Sequence, residues 1–212
     1  MSWTISSHVP HSKEIKDLES EVQAAGKDNI LMFASASDQG ENNNEHLYPG
    51  NSEGAGCVRV GAASNEGDRL PWVNPEWSEY SVPGKEIGFR DHETGSYFTE
   101  TGSSLANACA AGLAGALLYC DRLLGGAAGK WDLRSSENMK KMLNGLSQSS
   151  NQNHKLRFID VRSLLEQPFK KKLEKEGLKQ NGVPPQIEQL NWGPESKRAL
   201  AQVLDIVWER FR

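Results

Sequence analysis

The feature that most constrains this chain is the run that opens at Thr101-Gly102-Ser103-Ser104-Leu105-Ala106. From Ser104 to about Cys120 it is apolar almost throughout. Ala106, Ala108, Ala110, Ala111, Leu113, Ala114, Ala116, Leu117 and Leu118 predict a buried central helix. A glycine turn leads into it, so a serine hydroxyl stands at the positive end of the helix dipole, beside backbone N–H groups with no intrahelical partner. That setting suits a serine nucleophile and an oxyanion. It also suits a plain serine N-cap, a common start for a buried helix.

The remaining chain reads as alternating strands and helices. Met1 to Ile5 predicts a strand, and Pro10-His11-Ser12 introduces a helix with Ser12 as its cap and Glu14 in the first turn. Ile15, Leu18, Val22 and Ala25 recur at helical spacing, and Gly26 marks the end. Ile30 to Ser35 and Cys57 to Ala63 are apolar enough to be buried on both faces, as in a parallel sheet. Strand, helix and strand in that order make a βαβ unit. Ile87–Arg90 and Ser96–Thr99 flank a turn and predict a hairpin whose end delivers Ser104. Further helices are expected from about Ser136, with Met139, Met142, Leu143 and Leu146 on one face, and over Glu195–Phe211, with Leu200, Val203, Leu204, Val207 and Phe211 as a stripe. That last stripe either packs back on the body or docks a partner. Polar Ser147 to His154 reads as a flexible connection.

Composition narrows the function. The 212 residues carry a net charge of −4, so no basic excess exists to neutralise phosphates, and nucleic acid is not an expected partner. Lys170-Lys171-Lys172, interleaved with Glu174 and Glu176, reads as a solvated helix face. The polar start of the chain has no apolar leader, and the apolar helix is too rich in small residues for a membrane span. Cys57, Cys109 and Cys120 have no metal-ligand spacing. They are expected as buried, reduced thiols, and with the missing leader they suggest a cytoplasmic setting. No cofactor or metal is expected.

Four segments, in order, resemble the second half of a subtilisin-like serine protease (subtilase) catalytic domain. Ile30-Leu31-Met32-Phe33-Ala34-Ser35-Ala36-Ser37-Asp38-Gln39-Gly40 resembles the strand and turn that bear the family's oxyanion-hole Asn. Tyr48-Pro49-Gly50 resembles the next turn, and Val58-Arg59-Val60-Gly61-Ala62 with Val82-Pro83-Gly84 resembles the following strand and Ala-Pro-Gly. Gly102-Ser103-Ser104-Leu105-Ala106 resembles the nucleophile motif Gly-Thr-Ser-Met-Ala. The likeness is strongest to intracellular fungal subtilase-like domains. It implies a three-layer α/β/α fold with a mostly parallel sheet and with the N-terminal part of the domain missing. Residues 1–166 would be the C-terminal half of the peptidase domain, and 167–212 a helical tail.

The resemblance implies peptide-bond hydrolysis by acyl transfer on a protein or peptide substrate. Ser104 would be the nucleophile, with its own N–H in the oxyanion hole. Ser2, Trp3 and Thr4, with Ser35, Ala36 and Ser37, would line the substrate. Asp38 stands where the family usually has Asn; an ionised carboxylate repels an oxyanion, so Asp38 would assist only as the neutral acid. The family's catalytic Asp and His lie upstream of the segment that Met1-Ser2-Trp3-Thr4 resembles, and His8, His11, His46, His92 and His154 do not match the family's His motif. Three expectations follow. The chain is the serine-bearing part of an endopeptidase, inactive by itself; or a pseudoprotease that binds without turnover; or an α/β interaction domain in which Ser104 only caps a helix. The missing N-terminal half, or a protein docked on the tail helix, would be its partner.

Overall fold

The computed structural model describes residues 5–7, 12–40, 46–50, 57–125, 131–149, 157–160 and 194–209. A five-stranded sheet runs in the order β2 (Phe33–Ser35), β4 (Val58–Ala63), β5 (Tyr80–Pro83), β9 (Arg157–Ile159) and β8 (Ser147–Ser149). The first four are parallel, and only β8 runs antiparallel, against β9. β4 sits between two neighbours, which explains its composition: Val58, Val60, Ala62 and Ala63 have no exposed surface. Small and β-branched residues suit a strand covered on both faces.

Four α-helices accompany this sheet among the described residues. α1 (Lys13–Lys27) starts at Ser12, whose hydroxyl accepts from the Ile15 N–H at 3.3 Å, and buries Ile15 and Val22. It runs through Gly26 and ends one residue later, at Lys27, with Asp28 as its C-cap. α2 (Ser103–Leu123) lies along β2, β4 and β5 and presses Ala106, Ala110, Ala114 and Leu117 into the core. α3 (Ser136–Leu146), capped by Ser135, buries Met139, Met142, Leu143 and Leu146. Asn29 joins the ends of α1 and α3: its amide donates to the Arg134 carbonyl at 3.0 Å, and its carbonyl oxygen accepts from the Ser136 N–H at 2.9 Å. Tyr80 on β5 donates to Asn144 on α3 at 2.6 Å.

α4 (Pro194–Glu209) packs on α3, with Leu204 and Val207 in the core cluster. Gly145 permits the contact: a Cβ there would lie 2.1 Å from the Val207 carbonyl oxygen. Two residues of the apolar stripe are therefore committed to the body. Phe211 and the side chain of Val203 lie outside the described residues.

Several expectations change. Ile30 is 55% exposed and outside β2, because the strand pairs only from Phe33. The segment expected to be flexible opens with β8, since Ser147–Ser149 completes a ladder with β9. β1 (Ile5–Ser7) is not a strand of the main sheet; it pairs antiparallel with β3 (His46–Tyr48). The thiols are free but not all buried: Cys57 is buried, Cys120 intermediate and Cys109 exposed. α2, expected to be enclosed, is buried along one side, and Leu118 and Tyr119 are exposed.

Candidate active site

Three parallel strands end at one place. β2 runs on through Ala36 and Ser37 to Asp38, with the Ala36 N–H donating to the Val60 carbonyl at 2.8 Å. β4 presents Ala62, and β5 runs into Gly84, whose N–H donates to the Ala63 carbonyl at 2.9 Å. The carboxyl ends of parallel strands are where α/β sheets place their sites, because the crossovers leave a crevice there. The chain returns to this edge through a ribbon of β6 (Ile87–Arg90) and β7 (Tyr97–Glu100). Phe89 stacks on Phe98 with ring centroids 5.6 Å apart, and Arg90 lies over Tyr97, which braces an otherwise exposed pair of strands.

Gly102 then docks, donating its N–H to the Gly84 carbonyl at 2.9 Å. This junction is close-packed. A Cβ on Gly84 would meet Ala62 Cβ at 2.9 Å and Ala106 Cβ at 3.0 Å. A Cβ on Gly102 would stand 3.2 Å from an oxygen of Asp38. Both glycines let backbone and carboxylate approach to distances that a side chain would forbid.

The two serines that follow take different positions. Ser103 is fully buried, and Ser104 is exposed. The Asp38 carboxylate accepts twice from Ser103: from its N–H at 2.8 Å on one oxygen and from its hydroxyl at 2.6 Å on the other. The same hydroxyl accepts from the Ala62 N–H at 3.1 Å. Asp38 and the residue before Ser104 are thus in direct contact. Among its described bonds, Asp38 serves Ser103. Sequence reasoning named Asp38 and Ser104 but passed over Ser103; the glycine-serine-serine turn offered no sign of which hydroxyl would turn inward.

The other predicted residues are placed as follows. Ser35, Ala36 and Ser37 are buried at the end of β2, and the Ser37 hydroxyl accepts from the Gln39 N–H at 3.2 Å, which shapes the turn at Asp38. Ser2, Trp3 and Thr4 lie outside the described residues, as do His8, His11 and His154. His92 sits in the β6–β7 turn, beyond the Arg90–Tyr97 pair and so at the end of the ribbon away from Ser104. Among the described residues no group of three or more His, Cys, Asp or Glu could hold a metal ion.

A mostly parallel α/β sheet, with a serine pair at the mouth of a helix crossing its carboxyl edge, is the arrangement of an α/β protein with a crevice at that edge. Comparison makes the assignment specific: a sequence model of the subtilase family matches residues 1–123, and the chain belongs to that family. Similar solved structures include the prenylagaramide maturation protease PagA, at 19% identity over 73% of this chain and 54% of that one, with TM-score 0.57. The PatG macrocyclase in complex with peptide is 19% identical over 70% of this chain and 43% of its own, with TM-score 0.55. A lanthipeptide protease is 19% identical over 71% of this chain and 54% of its own, with TM-score 0.53. These likenesses establish a subtilisin-like fold, and the chain spans about half the length of each. No curated protein matches the sequence.

Proposed function

We propose that this chain carries the nucleophile-bearing half of a subtilase peptidase site, with Ser104 as nucleophile and an extended peptide as substrate. One observation carries the reading: Ser104 is exposed at the first turn of α2, at the carboxyl edge of the parallel sheet, while Ser103 behind it is buried. Ser104 lies at the positive end of the α2 dipole, which would favour an oxyanion formed there. The peptide assignment draws on family membership and on the PatG macrocyclase, a relative in fold solved with peptide bound.

By itself the chain binds without turnover. None of His8, His11, His46, His92 and His154 matches the His motif of the family, and His92 lies at the far end of the ribbon. A serine hydroxyl without a base keeps its proton, and loss of triad members leaves only about 10³–10⁴-fold catalysis over water. Asp38 adds a carboxylate, an acceptor, where an oxyanion calls for a donor. Ser35, Ala36 and Ser37, with Ser2, Trp3 and Thr4, would shape the peptide groove.

A fluorophosphonate probe that reacts with activated serines, applied to the whole chain, tests this. No labelling is expected, together with measurable binding of extended peptides. Labelling that Ser104→Ala abolishes would overturn the inactive reading and establish a working nucleophile. Absence of both labelling and peptide binding would remove the peptidase reading altogether.

A further inference from the structure

We infer that Asp38 is a positioning residue whose carboxylate and the buried Ser103 form a clamp that fixes the first turn of α2 and so the place of Ser104. The inference concerns the site proposed above, but its geometry stands without any activity there. α2 begins without a cap of its own: Gly102 offers no side chain, and the first turn holds no acidic residue. A helix of 21 residues leaves its first N–H groups and the positive end of its dipole to be satisfied by something. Asp38, 65 positions earlier in the chain, supplies it, accepting from the Ser103 N–H at 2.8 Å.

The second half of the clamp is the Ser103 hydroxyl. It donates to the other Asp38 oxygen at 2.6 Å and accepts from the Ala62 N–H at 3.1 Å. One buried hydroxyl thereby ties the β2 turn, the carboxyl end of β4 and the start of α2. A bidentate carboxylate on a serine N–H and O–H fixes both the backbone and the χ1 angle of Ser103, which sets the direction in which the next residue leaves. Gly102 completes the arrangement, because its missing side chain leaves room for the carboxylate. Asp38 therefore acts through Ser103, and its charge is spent on the helix terminus instead of on a reacting carbonyl.

Amide hydrogen exchange on the full chain tests the clamp without needing turnover. Asp38→Asn keeps the shape but removes the charge and turns one acceptor into a donor. The expected result is exchange about tenfold faster at Ser103, a change the size of one charge-assisted hydrogen bond, confined to residues 101–106. The β4 amides should keep their protection. Ser103→Ala should give a similar local change, Ser103→Thr should restore slow exchange, and Asp38→Asn with Ser103→Ala together should add little to either alone. Unchanged exchange at 101–106 in Asp38→Asn would overturn the clamp. A uniform rise across the sheet would also overturn it, by showing a general loss of stability. Fluorophosphonate labelling reports separately on the peptidase reading, so the two can fail independently.

Discussion

At the scale of single residues, small differences decide the site. Ser103 and Ser104 are identical in chemistry and adjacent in sequence, yet one is enclosed and the other open. Gly84 shows how little tolerance the enclosure has. Gly84→Ala would drive a methyl into Ala62, Ala106 and the Gly102 carbonyl. Overpacking of this kind typically costs about 1–3 kcal/mol, and a urea unfolding curve should show that loss. The thiols separate in the same way. Burial pushes the Cys57 thiol up to about 11, whereas Cys109 faces solvent. Iodoacetamide near neutral pH should modify Cys109 in the native protein and Cys57 only after unfolding, which peptide mapping would read directly. Because the folded Cys57 holds its proton more tightly than the unfolded thiol, whose ordinary value is 9.0, its contribution to stability is complete below pH 9 and is lost as pH rises toward 11.

At the scale of elements, α2 is the most informative. Its inner stripe of Ala106, Ala110, Ala114 and Leu117 follows helical spacing and seats the helix closely on β4. Its outer side carries Gly112 and Gly115, around which a Cβ would meet nothing within 4 Å. Glycine inside a helix costs roughly 0.5–1 kcal/mol relative to alanine, because the unfolded chain has more freedom to lose. Gly112→Ala and Gly115→Ala should each raise the melting temperature of this chain, and a fall in either would mean that the outer face is closely covered in solution. The ribbon of β6 and β7 shows the opposite balance. All four residues of β7 are exposed, and its order rests on the Phe89–Phe98 stack and on the docking of Gly102 on Gly84.

At the scale of the whole molecule, α4 is joined to the rest through α3. Leu204 and Val207 are each 2% exposed and belong to the core cluster that reaches α2 and the sheet. Gly145 is the point of nearest approach, so Gly145→Ala should push α4 outward. The expected cost is about 1–3 kcal/mol, and limited proteolysis should release a fragment containing α4 faster than from the unaltered protein. An equal rate of cleavage would mean that α4 is not held in this way in solution.

The sequence alone determined what local chemistry dictates. Helical spacing marked α1, α3 and α4, a serine cap marked the start of α1, and apolar runs marked β2 and β4, because these signals act over a few residues. The ordered segments from Ile30 to Ala106 were enough to identify the subtilase family. The tertiary structure decided everything that depends on partners distant in the chain. β8 had no signal of its own, since Ser147–Ser149 is a strand only because β9 offers it a ladder. Gly26 did not stop α1, and Ile30 did not join β2, because pairing and packing set those ends. Above all, the roles of Asp38 and Ser103 were hidden. Folding brings the Asp38 carboxylate across 65 residues to the first turn of α2, where it accepts from the Ser103 N–H and meets the positive end of the helix dipole.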